Sequence, residues 1–149
     1  MANTKISELT ALGATPADND VLAIVDTSAS ATKKVTVSNL AKAGVLQKQY
    51  RYDGALVTNT GDARLYVPIN CSSTSIKLYL KTASSSGSVG VDFLIDGVVD
   101  TSMTITQGST SGTGSSTTAI SAGSYVTFDI TSAGTGAEDL YATISLTRS

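Results

Sequence analysis

The stretch Val89-Gly90-Val91-Asp92-Phe93-Leu94-Ile95-Asp96-Gly97-Val98-Val99 decides the fold class. Val89, Val91, Phe93 and Ile95 alternate with their neighbours at period two, the spacing that puts side chains on one face of a strand. Asp96-Gly97 then stands between apolar residues. Asp-Gly in that position favours a two-residue type I′ turn, because both central residues take positive φ and glycine does so without steric cost. One strand, a tight turn and a second strand are therefore predicted, with the aliphatic and aromatic residues facing a core.

Working outward, the same alternation recurs through residues 47–149. Leu65, Val67 and Ile69 share a face, as do Ile76, Leu78 and Leu80, with Lys77, Tyr79 and Lys81 opposite. Val126, Phe128 and Ile130 continue the pattern, and so do Leu140, Ala142, Ile144 and Leu146. Weaker strands are expected near Gln49–Tyr52, Val98–Ile105 and Thr117–Ile120. Ala83–Ser88, Gln107–Ser116 and Ser132–Gly136 read as linkers rich in Gly, Ser and Thr. About eight strands with one apolar face each predict two packed antiparallel sheets, an all-β, jelly-roll-like β-sandwich. Strand order cannot be read from the alternation.

Residues 1–46 have a different character. Ser7 to Gly13 suits one capped helical turn, and Pro16 in a first-turn position suits another. Val21–Val25 and Lys33–Val37 read as two strands around a polar turn, Asp26–Thr32, followed by a short helix from Ser38 to a stop at Gly44. The large apolar residues are few: Ile6, Leu9, Leu12, Val21, Leu22, Ile24, Val25, Val35, Val37 and Leu40. A two-stranded hairpin is marginal alone in water. This small hairpin and short-helix segment is therefore expected to complete its burial on something else.

Composition narrows the chemistry. The chain has 149 residues, 41% hydrophobic and only 15% charged, so a core is affordable and a disordered polyelectrolyte is excluded. Ser and Thr exceed a quarter of the residues, which with 13 Gly and 2 Pro suits a turn-rich β protein. The net charge of −2, without a basic patch, argues against nucleic acid as a partner. No apolar run is long enough to span a bilayer, and the start lacks a secretory pattern, so synthesis in a cytoplasm and no membrane association are expected. Cys71 is alone, so no disulfide framework forms within the chain. Asn70-Cys71-Ser72 has the form of a glycosylation acceptor, which means little without secretion.

Histidine is absent, which closes His triads, His metal ligands and His acid–base work. Asp92, Asp96 and Asp100 recur at a helical spacing but fall on strand, turn and strand. Asp18-Asn19-Asp20 lacks the remaining ligands of a calcium loop. Gly112-Thr113-Gly114 precedes neither a helix nor a Lys-Ser/Thr pair, so it is no phosphate loop. Glu138-Asp139 reads as surface charge. No catalytic, cofactor or metal site is expected, and the chain reads as a non-enzyme. The tyrosines stand out instead. Tyr66, Tyr79, Tyr125 and Tyr141 fall opposite the aliphatic set, either as half-exposed strand formers or as a surface for a second subunit or a partner.

Three pieces in the N-terminal region together carry a resemblance: Lys5-Ile6-Ser7-Glu8-Leu9, then Pro16-Ala17-Asp18-Asn19-Asp20-Val21-Leu22-Ala23-Ile24-Val25-Asp26, then Thr32-Lys33-Lys34-Val35-Thr36-Val37-Ser38-Asn39-Leu40. In this order they resemble an N-terminal module of tailed-bacteriophage structural proteins, "KISEL … D.L.IVD … TKKVTV.NL", found at the front of tail fibres, head fibres and other particle-surface proteins. The stretch Ile120 to Ser132, with Leu140 to Leu146 after it, is more loosely similar to phage β-sandwich modules. The resemblance implies a virion attachment role for Ile6, Leu9, Val21, Leu22, Ile24, Val25, Lys33, Lys34, Val35, Val37 and Leu40. Lys33-Lys34 can equally serve as strand-edge protection.

The implied protein is a capsid cement or decoration protein that sits on the virion surface and stabilises the shell. Its partner would be the major capsid protein, and it would be a homo-oligomer with a trimer favoured. The absence of shaft repeats and of a separate tip up to Ser149 weighs against a long tail fibre. A short tail-fibre or tail-adaptor protein bound to tail proteins is the alternative. A third is a carbohydrate-binding module that stacks host glycans on Tyr79, Tyr125 or Tyr141.

Overall fold

The computed structural model describes residues 17, 19–26, 31–37, 40, 45–61 and 63–149. The chain divides into two compact units, Met1–Lys42 and Ala43–Ser149. Among the described residues every named element is a β-strand, and every strand pairing is antiparallel.

In the first unit, β1 (Val21–Asp26) pairs with β2 (Ala31–Thr36), each strand one or two residues longer at the turn than its apolar pattern suggests. The register places Leu22 opposite Val35 and Ile24 opposite Lys33. The Val37 N–H donates to the Asp20 carbonyl at 2.8 Å, which closes the open end of the hairpin. The Asp20 carboxylate accepts from the Ala17 N–H at 2.8 Å, so it stabilises a turn. The predicted helical turn at Ser7–Gly13, with Ile6 and Leu9, and the Ser38–Gly44 helix apart from Leu40 lie outside the described residues. So do the side chains of Ile24, Val25 and Lys33.

The second unit holds two sheets. One has the order β3-β11-β5-β8, from Val45–Ala55, Glu138–Arg148, Cys71–Thr82 and Ser111–Gly114, with β9 (Ala119–Ile120) also on β5. The other has the order β4-β10-β6-β7, from Leu65–Tyr66, Tyr125–Ser132, Val89–Ile95 and Val98–Ile105. The pairings nest: β6 with β7, β5 with β8, β4 with β10, and β3 with β11. They are the rungs of one long hairpin whose centre is the β6–β7 turn and whose arms are rolled so that successive rungs fall alternately in the two sheets.

The centre of that hairpin is the Asp96-Gly97 turn. Asp96 has φ 50° and Gly97 φ 82°, the pair of positive values that a type I′ turn requires. Asp96 also ties the turn to the neighbouring strand. Its N–H donates to the Tyr125 carbonyl at 2.9 Å, and its carboxylate accepts from the Tyr125 N–H at 2.9 Å.

The two inner faces share one core. Ile76, Leu78, Leu80, Leu140, Ala142, Ile144 and Leu146 come from one sheet; Val89, Val91, Phe93, Met103, Ile105, Val126, Phe128 and Ile130 come from the other. Phe93 lies opposite Phe128 in the ladder with ring centroids 5.3 Å apart. Tyr50 continues this aromatic line at 5.8 Å from Phe128, and Tyr52 lies 6.2 Å from Tyr50.

Three places depart from the sequence pattern. Ile69 does not join the inner set of Leu65 and Val67; it is exposed, because β4 stops at Tyr66 and Pro68 brings no N–H to a ladder. Leu94 is buried although it faces away from the core. The segment around Gly61, whose N–H donates to Asp129 at 2.6 Å, lines one outer-face hollow with Leu94 and Thr127 and shelters both. The stretch read as a linker from Gln107 contains β8, an edge strand.

The two flanks of the sandwich differ. On the β7–β8 side the sheets close together because β8 carries Gly112 and Gly114. A Cβ on Gly112 would lie 2.9 Å from the Thr104 carbonyl oxygen, and one on Gly114 would overlap Met103. On the other side the eleven-residue β3 faces the two-residue β4, and the sheets leave a gap.

Candidate functional site

Each candidate residue was placed by its strand. In the hairpin, Val21 and Leu22 are about half exposed, at 54% and 48%, and Leu40 is exposed at 53%. Lys34 is exposed, while Val35 and Val37 are half-buried. Val21 and Leu22 are adjacent in the strand and so project to opposite faces. Both faces of the hairpin therefore carry an uncovered aliphatic side chain.

The four tyrosines fall into two cross-strand pairs, not one surface. Tyr66 lies opposite Tyr125 on the β4–β10 sheet, with ring centroids 5.9 Å apart. Tyr79 lies opposite Tyr141 on the β5–β11 sheet. The pairs are on the two outer faces of the sandwich, which point away from each other. Each has an arginine. Arg64 lies over the Tyr125 ring at 4.3 Å and hydrogen-bonds Tyr66, which raises its pKa further. Arg51, opposite Tyr141 in the register, lies over that ring at 5.4 Å and also pairs with Asp53. Such contacts contribute roughly 0.5–1 kcal/mol at exposed sites. Tyrosine with arginine is also the composition that dominates protein–protein hot spots.

The acidic residues have local work. Asp96 holds the β6–β7 turn, and the Tyr125 N–H, then Ser124, lower its pKa. Asp139 has φ 52° at a bulge between β11 and β3. It accepts from the Gly54 N–H at 2.6 Å and pairs with Lys81 at 3.2 Å, and in that order these contacts hold its pKa below the usual value. Burial pushes the Asp100 pKa up, but hydrogen bonds from Ser116, Thr118 and Thr101 outweigh it and leave the pKa lowered. Glu138 accepts from Thr82 at 3.3 Å. Among the described residues no three Asp, Glu or Cys side chains converge as a metal group. Cys71 is buried, and burial pushes its thiol pKa up, the opposite of an activated thiolate.

These shifts predict a pH dependence with a definite sign. A lowered folded-state pKa means that the unfolded chain binds more protons as the pH falls past the ordinary carboxylate value of 3.8. Stability should be level at neutral pH down to about 5 and fall below about 4. Urea midpoints at pH 7, 5 and 3 check this. The Asp96→Asn/Asp139→Asn pair should flatten the acid limb; an unchanged limb would remove these two residues as its source.

No protein-family model matches the chain, and no curated protein matches it.

Proposed function

We propose that the chain is a structural protein of a tailed-bacteriophage particle, most specifically a capsid decoration protein. The first unit attaches to the outer capsid surface and the sandwich bridges neighbouring subunits. The observation that carries this reading is the division of the chain into a small hairpin unit, Met1–Lys42, and a second unit, Ala43–Ser149, whose sandwich has its own core. Two strands that leave Val21 and Leu22 about half exposed would complete their burial on a partner surface. The phage-like order of its three sequence pieces supports the same role. The nested strand order supports reading the sandwich as a jelly roll, an architecture that capsid and lectin domains share.

Copy number in purified particles, measured by quantitative mass spectrometry against the major capsid protein, tests the proposal. Hundreds of copies are expected. A handful would favour a short tail-fibre or tail-adaptor role, and absence from the particle would sink both. The 43–149 fragment should fold yet lose particle binding; retained binding would place attachment on the sandwich.

Self-association follows from the paired tyrosine faces. A heterologous trimer uses a different patch on each side of every contact, whereas an isologous dimer uses one patch twice. In the trimer reading, Tyr125→Ser and Tyr79→Ser each shift the mass measured by light scattering toward the monomer. An effect from only one of them would indicate a dimer, and no effect from either would sink the self-association reading. A second reading, glycan binding, is favoured by the Tyr79–Tyr141 pair on an open sheet face. A glycan-array signal that Tyr79→Ala abolishes would establish it.

A further inference from the structure

The outer face of the β4-β10-β6-β7 sheet carries a hollow of about 300 Å³. Its floor is Leu94 and Thr127, which lie opposite each other on β6 and β10. Tyr125 and Gly97 close one end, where a Cβ on Gly97 would stand 3.2 Å from the Tyr125 hydroxyl. Asp129 stands at the other end, and the segment around Gly61 forms one side. Arg64 is held at the rim by the Tyr125 ring and the Tyr66 hydroxyl.

Two groups in this hollow lack partners among the described residues. Thr127 is only 5% exposed, yet its hydroxyl makes no hydrogen bond to the protein. A buried hydroxyl without a partner is costly, and such groups are rare enough that each asks for an occupant. Asp129 accepts from the Gly61 N–H at 2.6 Å with one carboxylate oxygen. Its other oxygen accepts nothing, and Asp92, directly opposite in the ladder, offers only like charge.

We infer that this hollow binds one pyranose ring of an uncharged sugar. Thr127 and Asp129 are two residues apart on one face of β10, so their polar groups stand roughly 7 Å apart. A single sugar ring can present a hydroxyl to each from opposite edges. The threonine hydroxyl both donates and accepts, and the free carboxylate oxygen accepts a ligand O–H. Leu94 offers an apolar floor to the C–H face of the ring. Asp129 and Asp92 together disfavour an anion. The volume stands at the lower end of ligand pockets, roughly 300–1,000 Å³, which suits one ring rather than a chain. The site lies on the other sheet from the Tyr79–Tyr141 pair and depends neither on that pair nor on a place in a particle.

The methyl glycosides of glucose, galactose, mannose and N-acetylglucosamine are the probes, each titrated into the ¹⁵N-labelled full chain and followed by NMR. At least one should give saturable shifts centred on Gly61, Leu94, Thr127 and Asp129. Thr127→Val, which nearly keeps the shape, should weaken that sugar about fivefold, and Asp129→Asn about tenfold. Thr127→Val should also leave the urea midpoint level or raised, since the hydroxyl it removes has no protein partner to lose. Tyr79→Ala, on the other sheet, should leave binding unchanged. A hydroxyl satisfied by water alone would give no saturable shift with any of these sugars, and that result would overturn the assignment. So would shifts centred on Tyr79 and Tyr141 instead, or unchanged affinity in both Thr127→Val and Asp129→Asn.

Discussion

Phe93→Ala is expected to cost the sandwich roughly 3–5 kcal/mol, the range for removing a large buried aromatic side chain. Phe93 is fully buried at the centre of β6, with β10 on one side and β7 on the other. Its ring meets Phe128 across the ladder, and Phe128 in turn meets Tyr50. Truncation would empty one end of this aromatic line. The cavity could not collapse easily, because backbone ladders fix the strands on both sides. A domain of this size has only about 5–15 kcal/mol in total, so the loss is a large fraction of it. Urea unfolding should show a lower midpoint with an unchanged slope. Phe93→Leu, which keeps most of the volume, should cost clearly less. A loss below about 1 kcal/mol for Phe93→Ala would contradict the packing described here.

Gly61→Ala is the second large effect, and it works through crowding. A Cβ at this position would overlap the Phe128 carbonyl oxygen and stand 3.0 Å from the carbonyl carbon. Both are backbone atoms of a central strand, so the loop must move. Moving it breaks the Gly61 N–H contact to Asp129 and uncovers Leu94 and Thr127. Overpacking of this kind typically costs about 1–3 kcal/mol, and the lost hydrogen bond adds to that. A neutral effect on the urea midpoint would show that the segment lies farther from β10.

Much of the sandwich can be read from residue order, for a physical reason. Where a strand has neighbours on both sides, one face is buried along its whole length, and alternation survives in the sequence. Ile76 to Leu80, Val89 to Phe93, Val126 to Ile130 and Leu140 to Leu146 all meet that condition. The Asp96-Gly97 turn is equally plain, because few residue pairs tolerate its dihedrals. Edges and loops carry a weaker signal. Tyr50 and Tyr52 face inward on β3, but Lys48 shares that face and disguises it. Leu94 is buried by a loop some thirty residues earlier in the chain. The tyrosines can be placed opposite the aliphatic residues from sequence, yet their division into two pairs depends on register. Tyr66 meets Tyr125 and Tyr79 meets Tyr141 only once four separate strands have aligned. The gap between β3 and β4 has no local signature, since it exists because a long strand faces a short one.

The nested pairing also dictates when the protein can fold. The β6–β7 hairpin needs only nearby residues and can form as soon as they are made. The centre of the larger sheet is different: β11 lies between β3 and β5 and joins them. During synthesis β3 and β5 therefore wait without their common neighbour until residues 138–148 emerge. Contacts this distant in sequence place all-β domains in the millisecond-to-second range of folding times. The sandwich must close after translation has passed β11, and until then β3 and β5 depend on Lys48, Arg51, Lys77 and Lys81 to keep other chains from taking the empty place.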